Sequence, residues 1–206
     1  MSTFIGEIKC RRSIRKYTEQ PVPAEVIRGI LEAASFAPSA HNAQPWRFIV
    51  LTQAEHKKAL ANAMAQVWLR ELELDHIPKN IRCATVNRSI ERFKAAPVLI
   101  LASLTLENMD NYPDDQRQSN ERDLAVASLA AAIQTMLLVA HDKGLGACWY
   151  CAPIFCKTAV RHALEIPDNV EPQALLTLGY PNESPKTPPR NPPEKFSHGE
   201  KWGNPL

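Results

Sequence analysis

The sequence predicts an α+β fold: a central mixed, mostly antiparallel sheet of four to five strands flanked by helices. Three observations predict it. Short β-rich runs such as WRFIVLT and QALLTLG alternate with longer segments whose apolar residues recur every three or four positions. One run, Pro97–Leu104, is apolar almost throughout and bounded by proline, the pattern of a central strand buried on both faces. The length of 206 residues, with 45% hydrophobic and 22% charged residues, suits one globular domain with a sizeable core. That domain is expected to span 1–206, with 181–206 an extended proline-rich tail.

The elements follow in order. Phe4–Arg11 reads as a short helix and Thr18–Pro23 as a proline-rich turn. Pro23–Ser35 is helical, since Val26, Ile27, Ile30 and Leu31 share one face. Gln44–Thr52 is a strand of β-formers. Glu55–Leu74 is a helix with Leu60, Met64, Val67 and Leu74 on one side, and a second helix is expected over Lys79–Phe93. Glu107–Asn120, polar and interrupted by Pro113, reads as a surface loop. Asn120–Lys143 is a long alanine-rich helix, closed by Gly144 as a left-handed cap. Ala147–Cys151 is a strand, Phe155–Leu164 a helix and Gln173–Gly179 a strand. The tail after Pro181 is too rich in proline for regular structure. A small core beside a long alanine-rich helix points to a homodimer.

Composition excludes several classes. A net charge of +2 gives no argument for nucleic acid or a membrane surface. The apolar run Leu124–Ala140 is interrupted by Ser128, Gln134 and Thr135, so a buried helix is expected rather than a membrane span. MSTFIGEIKCRR lacks the apolar stretch of a signal peptide, and five cysteines do not form a disulfide framework, so a cytoplasmic location is expected. Cys148, Cys151 and Cys156 invite a metal reading, but no second CxxC or paired histidine stands nearby to complete four ligands, and no metal is expected. GxSxG, HExxH, P-loop and GxGxxG motifs are absent.

The most informative stretch is Arg11–Phe48. RRSIRKY sets Arg11, Arg12 and Arg15 around Ser13, a donor set that suits a phosphate because each guanidinium offers paired donors and a fixed charge. After the intervening helix, APSAHNAQPWRF places Pro38, Ser39, Ala40, Asn42 and Gln44 on a short loop, suited to the edge of a flat heterocycle. Each piece also has a plainer explanation: a solvated basic helix end, and a helix-ending turn.

Together these motifs resemble the N-terminal signature of the FMN-dependent nitroreductase superfamily. GLGACW at Gly144–Trp149, LGYP at Leu178–Pro181 and a following Arg190 resemble its later landmarks in order and spacing. WYCAPIFCKTAVRHALEIPDNVEPQALLTLGYP is similar to one branch, the C-terminal domain of the γ-glutamyl ligase of deazaflavin-coenzyme biosynthesis and its stand-alone relatives. The resemblance implies a nitroreductase-like fold, FMN as cofactor, NADH or NADPH as reductant, and an interlocked homodimer with two flavins at the interface. It implies that Arg11, Ser13 and Arg15 meet the FMN phosphate, ribityl chain and ring edge, with Arg12 contributing backbone. It places Pro38–Gln44 along the flavin, often across the subunit boundary, and returns Arg190 to the phosphate. A backbone N–H in the Ala152–Pro153–Ile154 segment should face flavin N5; Pro153 has none, so Ala152 or Ile154 must supply it. His41 stands in a variable position and receives no role, and no side chain is assigned to catalysis. Glu55–Phe93 and Asn108–Arg122 are expected to roof the site. The acceptor would be a small molecule: a nitroaromatic or quinone, or else a deazaflavin coenzyme or its precursor. A non-enzymatic flavin binder is the reading from a different class.

Overall fold

The computed structural model describes residues 4–206, so the first three residues of the N-terminal reading lie outside them. Four strands make one sheet: β1 (Trp46–Leu51), β2 (Val98–Thr105), β3 (Gly146–Tyr150) and β4 (Val170–Gly179). Their order is β1-β2-β4-β3, and every neighbouring pair is antiparallel. The sheet is therefore not mixed in its strands. The parallel element is a single bridge from Ser13 to Ala147, which lays the N-terminal segment along the free edge of β3.

Seven α-helices are described: α1 (Phe4–Cys10), α2 (Ala24–Ala34), α3 (Ala54–Leu74), α4 (Lys79–Ala95), α5 (Asp115–Asp142), α6 (Ala152–Phe155) and α7 (Lys157–Leu164). They cover both faces of the sheet. All of β2 is buried, as its unbroken apolar run predicts. Its alternation divides the core: Val98, Ile100, Ala102 and Leu104 pack with Ile30, Leu129, Ile133 and Met136 of α2 and α5. Leu99 and Leu101 turn to the opposite face, against Leu60 and Met64 of α3, Phe93 of α4 and Val160 of α7. Truncating a fully buried residue such as Leu101 would cost ~2–5 kcal/mol. By length and composition α5 could cross a membrane; here its inner face is part of this core.

The N-terminal segment is held by more than the bridge. Ile14 N–H donates to Ala147 O at 3.0 Å. Tyr17 Oη donates to Ile14 O at 2.5 Å and lies 2.6 Å from Thr177 Oγ1 of β4. Gly146 permits this contact: a Cβ there would stand 2.7 Å from Ile14 Cβ. Gly144, at φ 74°, closes α5 as expected, with Gly144 N–H bonded to His141 O and Leu145 N–H to Ala140 O.

Four differences from the sequence reading go beyond a residue or two at an element's end. First, α5 starts at Asp115, five residues before Asn120, so the expected 107–120 loop ends at the cap. Asp114 Oδ1 accepts from Arg117 N–H at 3.0 Å, an N-cap set just after Pro113. Second, the expected Phe155–Leu164 helix is two helices, α6 and α7, broken at Cys156 (φ −139°, ψ 36°). Third, β4 begins at Val170 and runs through Pro172. Proline is tolerated there because β3 pairs only with 175–179, and because the β2–β4 register shifts between Ala102 and Ser103. Fourth, the tail is irregular but carries one short 3-10 turn, Pro193–Lys195.

Candidate functional site

The sequence-nominated residues fall into two clusters at opposite edges of the sheet. The first lies beside β3. Arg11, Arg12, Ile14, Gly144, Gly146, Pro181, Glu183 and Ser184 are among the residues lining a 300 Å³ cavity. Burial, then Arg190 and Arg12, push the Arg11 guanidinium below its ordinary value. Convergence of these like charges is what a bound dianion would relieve. Arg12 Nη1 donates to Lys9 O at 2.6 Å and Arg11 O at 2.7 Å, and its Nη2 reaches Thr187 Oγ1 in the tail. The tail follows the same segment: Glu183 Oε1 accepts from Arg15 N–H at 2.6 Å, and Asn182 N–H donates to Lys16 O at 2.9 Å. Because the tail is tied to this segment, the distant Arg190 belongs with Arg11.

Arg15 is exposed, with Nη1 3.3 Å from Ser13 O. It stands near enough to Tyr150 to favour the tyrosinate, opposing a shift set by other groups. Burial, then Cys148, push Tyr150 up to about 12, so the phenol is a neutral donor at ordinary pH. From Arg11 to Arg15 the extended chain covers roughly 13 Å. It thus links the arginine-lined cavity to a second, apolar cavity of 390 Å³. Ala61, Met64 and Trp68 of α3, Arg92 and Phe93 of α4, Tyr150, Ala152 and Phe155 contribute to its walls. Phe93 packs edge-on against Tyr150 at 5.2 Å, and Arg92 Cζ lies 5.8 Å from the Tyr150 ring centre. Of the basic residues on α4, Arg82 is paired with Glu73 and Lys94 with Glu91, while Arg88 is exposed; Arg92 lines the cavity.

Ala152, Pro153 and Ile154 form the first turn after β3, not an open loop. Pro153 is buried, and Ile154 N–H is committed to Cys151 O at 3.1 Å. Ala152 begins α6, where a helical N–H has no partner within the helix, and it borders the apolar cavity. Of the two donors the sequence allowed, Ala152 is the available one. Cys148 and Cys156 are buried and Cys151 is exposed, and burial pushes the Cys156 thiol up to about 11.

The second cluster precedes β1. Ala40–Asn42 form a 3-10 turn, and His41, Asn42 and Gln44 all have positive φ (55°, 52° and 46°). Three such non-glycine residues within four positions mark a strained loop, of a kind found where geometry serves binding. Ser39 Oγ accepts from Gln44 N–H at 3.1 Å, and Ala40 N–H donates to Ser128 Oγ of α5 at 3.1 Å. Pro38, Asn42 and Gln44 are exposed, whereas Trp46 is buried in the core. Sequence reasoning passed over His41, which faces Glu121 and Asp110; its visible signal is a His-Asn pair in a loop, both residues that tolerate left-handed backbone.

Strands β1 and β3 are the two edges of the sheet, three strand spacings apart, or roughly 14 Å. The loop and the arginine segment therefore stand at separate edges within one chain.

A model of the nitroreductase family matches residues 8–180. A Bacillus subtilis relative with the provisional name NAD(P)H nitroreductase YfhC is 30% identical over 185 residues, covering 90% of this chain and 88% of that protein. A Methanothermobacter thermautotrophicus relative, provisionally named NADH dehydrogenase/NAD(P)H nitroreductase, is 34% identical over 197 residues, covering 95% of this chain and 85% of that protein. The solved structure of a provisionally assigned nitroreductase from Desulfovibrio desulfuricans in complex with FMN has a TM-score of 0.75 at 28% identity, covering 98% of this chain and 99% of that one. The fold is nitroreductase-like, and the chain belongs to the nitroreductase family.

Proposed function

We propose that the chain is an FMN-dependent NAD(P)H oxidoreductase, acting as a homodimer on small planar acceptors such as nitroaromatics or quinones. FMN in the Desulfovibrio complex and NAD(P)H in the names of the Bacillus and Methanothermobacter relatives support this cofactor and reductant. The observation that carries the reading is the separation of the two clusters to opposite sheet edges. A second copy would bring its Pro38–Gln44 loop to the β3 edge of the first, completing each site twice by symmetry.

Bound FMN would supply hydride acceptance and donation at a planar ring. The residues present fit it. Arg11, Arg12 and Arg190 converge where the phosphate would lie, and an anion there would offset their repulsion. Ser13 and Arg15 lead from there towards the apolar cavity. Ala152 N–H is the backbone donor beside the ring, and Pro38, Ser39, Ala40, Asn42 and Gln44 come from the partner loop. Helices α3 and α4 wall the cavity with Met64, Trp68 and Phe93, which exclude water and favour a flat acceptor. The 108–122 stretch, expected to help roof the site, meets the Pro38–Gln44 loop at His41.

The dimer reading draws on exposed apolar surface. Leu124 and Ala127 are exposed and Leu138 half-buried, forming a stripe along the outer side of α5. In the tail Phe196, Trp202 and Leu206 are exposed. Both surfaces suit coverage by a second copy. Free thiols, two of them exposed, accord with a cytoplasmic location.

A deazaflavin coenzyme would need cations for a long anionic tail. With Arg82 and Lys94 already paired, α4 leaves Arg92 at the cavity, which favours a smaller acceptor. The test is the absorption spectrum and released cofactor of the purified protein, followed by NADH and NADPH oxidation with nitroaromatic, quinone and deazaflavin acceptors. Yellow protein releasing FMN and turning over nitroaromatics or quinones is expected. Bound FMN without oxidation of either nicotinamide would make it a binder, and a colourless protein that FMN does not reconstitute would end the proposal.

A further inference from the structure

We propose that His41, Asp110 and Glu121 form a binding site for one divalent transition-metal ion of the zinc class. Three separate elements bring them together: the strained 3-10 turn, the connection after β2, and the first third of α5. His41 Nε2 lies 3.3 Å from Glu121 Oε2 and 3.9 Å from Asp110 Oδ2, and the three donor atoms are all within 4.8 Å of one another. Zinc holds imidazole nitrogen and carboxylate oxygen at ~2.0–2.2 Å, so two ligands on a tetrahedral ion stand roughly 3.3–3.5 Å apart. The His41–Glu121 pair already has that separation. Asp110, exposed on its side chain, needs a shift of a few tenths of an ångström.

The second observation is Glu121 itself. Its side chain is 6% exposed, and its Oε2 has no hydrogen-bond partner among the described residues. A buried carboxylate oxygen left without a partner is costly. The plainer explanation is a protonated His41 paired with both acids. Yet one nitrogen faces two carboxylates, and its single N–H serves one oxygen at a time; Glu121 Oε1 is 3.4 Å from that same nitrogen. A divalent ion satisfies both acids and balances their charge. The nearest basic side chain on β1, Arg47, is turned to Glu107 at 3.6 Å. His41 and Asp110 are 42% and 58% exposed, so the ion would be reached from solvent and keep water on its open side. One imidazole and two carboxylates suit zinc, with manganese bound more weakly.

The ion would pin the loop to α5. Its effect on flavin rests on the dimer reading above, but its binding does not, and the test measures binding. Full-length, FMN-loaded protein stripped with EDTA is titrated with Zn2+ and Mn2+ by calorimetry. One Zn2+ per chain is expected. His41→Ala and Glu121→Gln should each weaken it by more than ~100-fold, beyond the 10–100-fold typical of groups behind the ligands. Asp110→Asn should weaken it less, and Cys10→Ser with Cys151→Ser not at all. Circular dichroism establishes that each variant is folded; His41, being exposed, keeps the test valid if Glu121→Gln is not. Absence of a tight site, or one moved by the cysteines and not by His41, would overturn the proposal and leave an ion pair.

Discussion

Replacing Gly146 by alanine tests how the fold delivers the arginines. The new Cβ would meet Ile14 Cβ and Cγ2 at 2.7 Å and Cγ1 at 2.9 Å, roughly an ångström inside ordinary carbon contact. Neither side yields freely. Gly146 is in β3, paired with Gly179, and Ile14 is buried and bonded to Ala147 O. Overpacking at such a site costs ~1–3 kcal/mol. Releasing the clash by lifting the segment forfeits the Ile14 hydrogen bond, ~0.5–1.5 kcal/mol, and part of the Ile14 burial. Whichever route the chain takes, Arg11, Arg12, Ser13 and Arg15 move, since they flank Ile14. We expect apo stability to fall by ~1–3 kcal/mol in urea unfolding. FMN affinity, read by fluorescence quenching, should fall ~10-fold or more, since each tenfold corresponds to ~1.4 kcal/mol. Ile14→Ala removes two of the three colliding atoms and should restore part of both losses. Wild-type stability and FMN affinity in Gly146→Ala would refute the claim that this contact sets the phosphate site.

Arg190→Ala should weaken FMN binding by ~1.5–3 kcal/mol, the range for a charge-assisted hydrogen bond, and leave the stability of the apo protein nearly unchanged because Arg190 is exposed; calorimetry against FMN checks the first part and urea unfolding the second. Ala127→Glu, on the outer stripe of α5, should yield a folded monomer with much reduced FMN content by light scattering and absorbance; a flavin-loaded dimer would remove α5 from the interface. Burial would raise Glu171, but hydrogen bonds from Arg122 and Lys157 win and hold it at about 2, against an ordinary 4.5. Its stabilising contribution is therefore complete above pH 4.5 and is lost as pH falls towards 2. Glu171→Gln should flatten the fall of unfolding free energy across that window.

What could be read from the chain was local. The run VLILASL announced a strand buried on both faces, and Gly144 announced the end of α5, because each signal is complete within a few residues. The start of α5 was equally local, but Pro113 and the surrounding acids masked the Asp114 cap. Pro172 hid the first part of β4, because its acceptance depends on where β3 stops, a fact of pairing rather than of sequence. His41 carried no readable signal beyond its tolerance of positive φ. Its partners Asp110 and Glu121 are brought to it only by folding. The same is true of the site as a whole. Arg11–Arg15 and Pro38–Gln44 are close in sequence, and the strand order puts them on opposite edges.

That separation has a thermodynamic consequence. If each flavin takes its phosphate contacts from one copy and its loop contacts from the other, FMN binding and dimerisation are one linked equilibrium. The factor by which dimerisation tightens FMN is the factor by which FMN tightens the dimer. In the free chain, the charge repulsion among Arg11, Arg12 and Arg190 and the strained backbone of His41, Asn42 and Gln44 both oppose the folded state. An anion at the β3 edge relieves the first, and a partner surface against the loop offsets the second. A fold with both devices at opposite edges is set up so that cofactor and second subunit each stabilise what the other needs. An ion at His41 would act on the same balance, fixing the loop in the conformation that reaches across before the partner arrives.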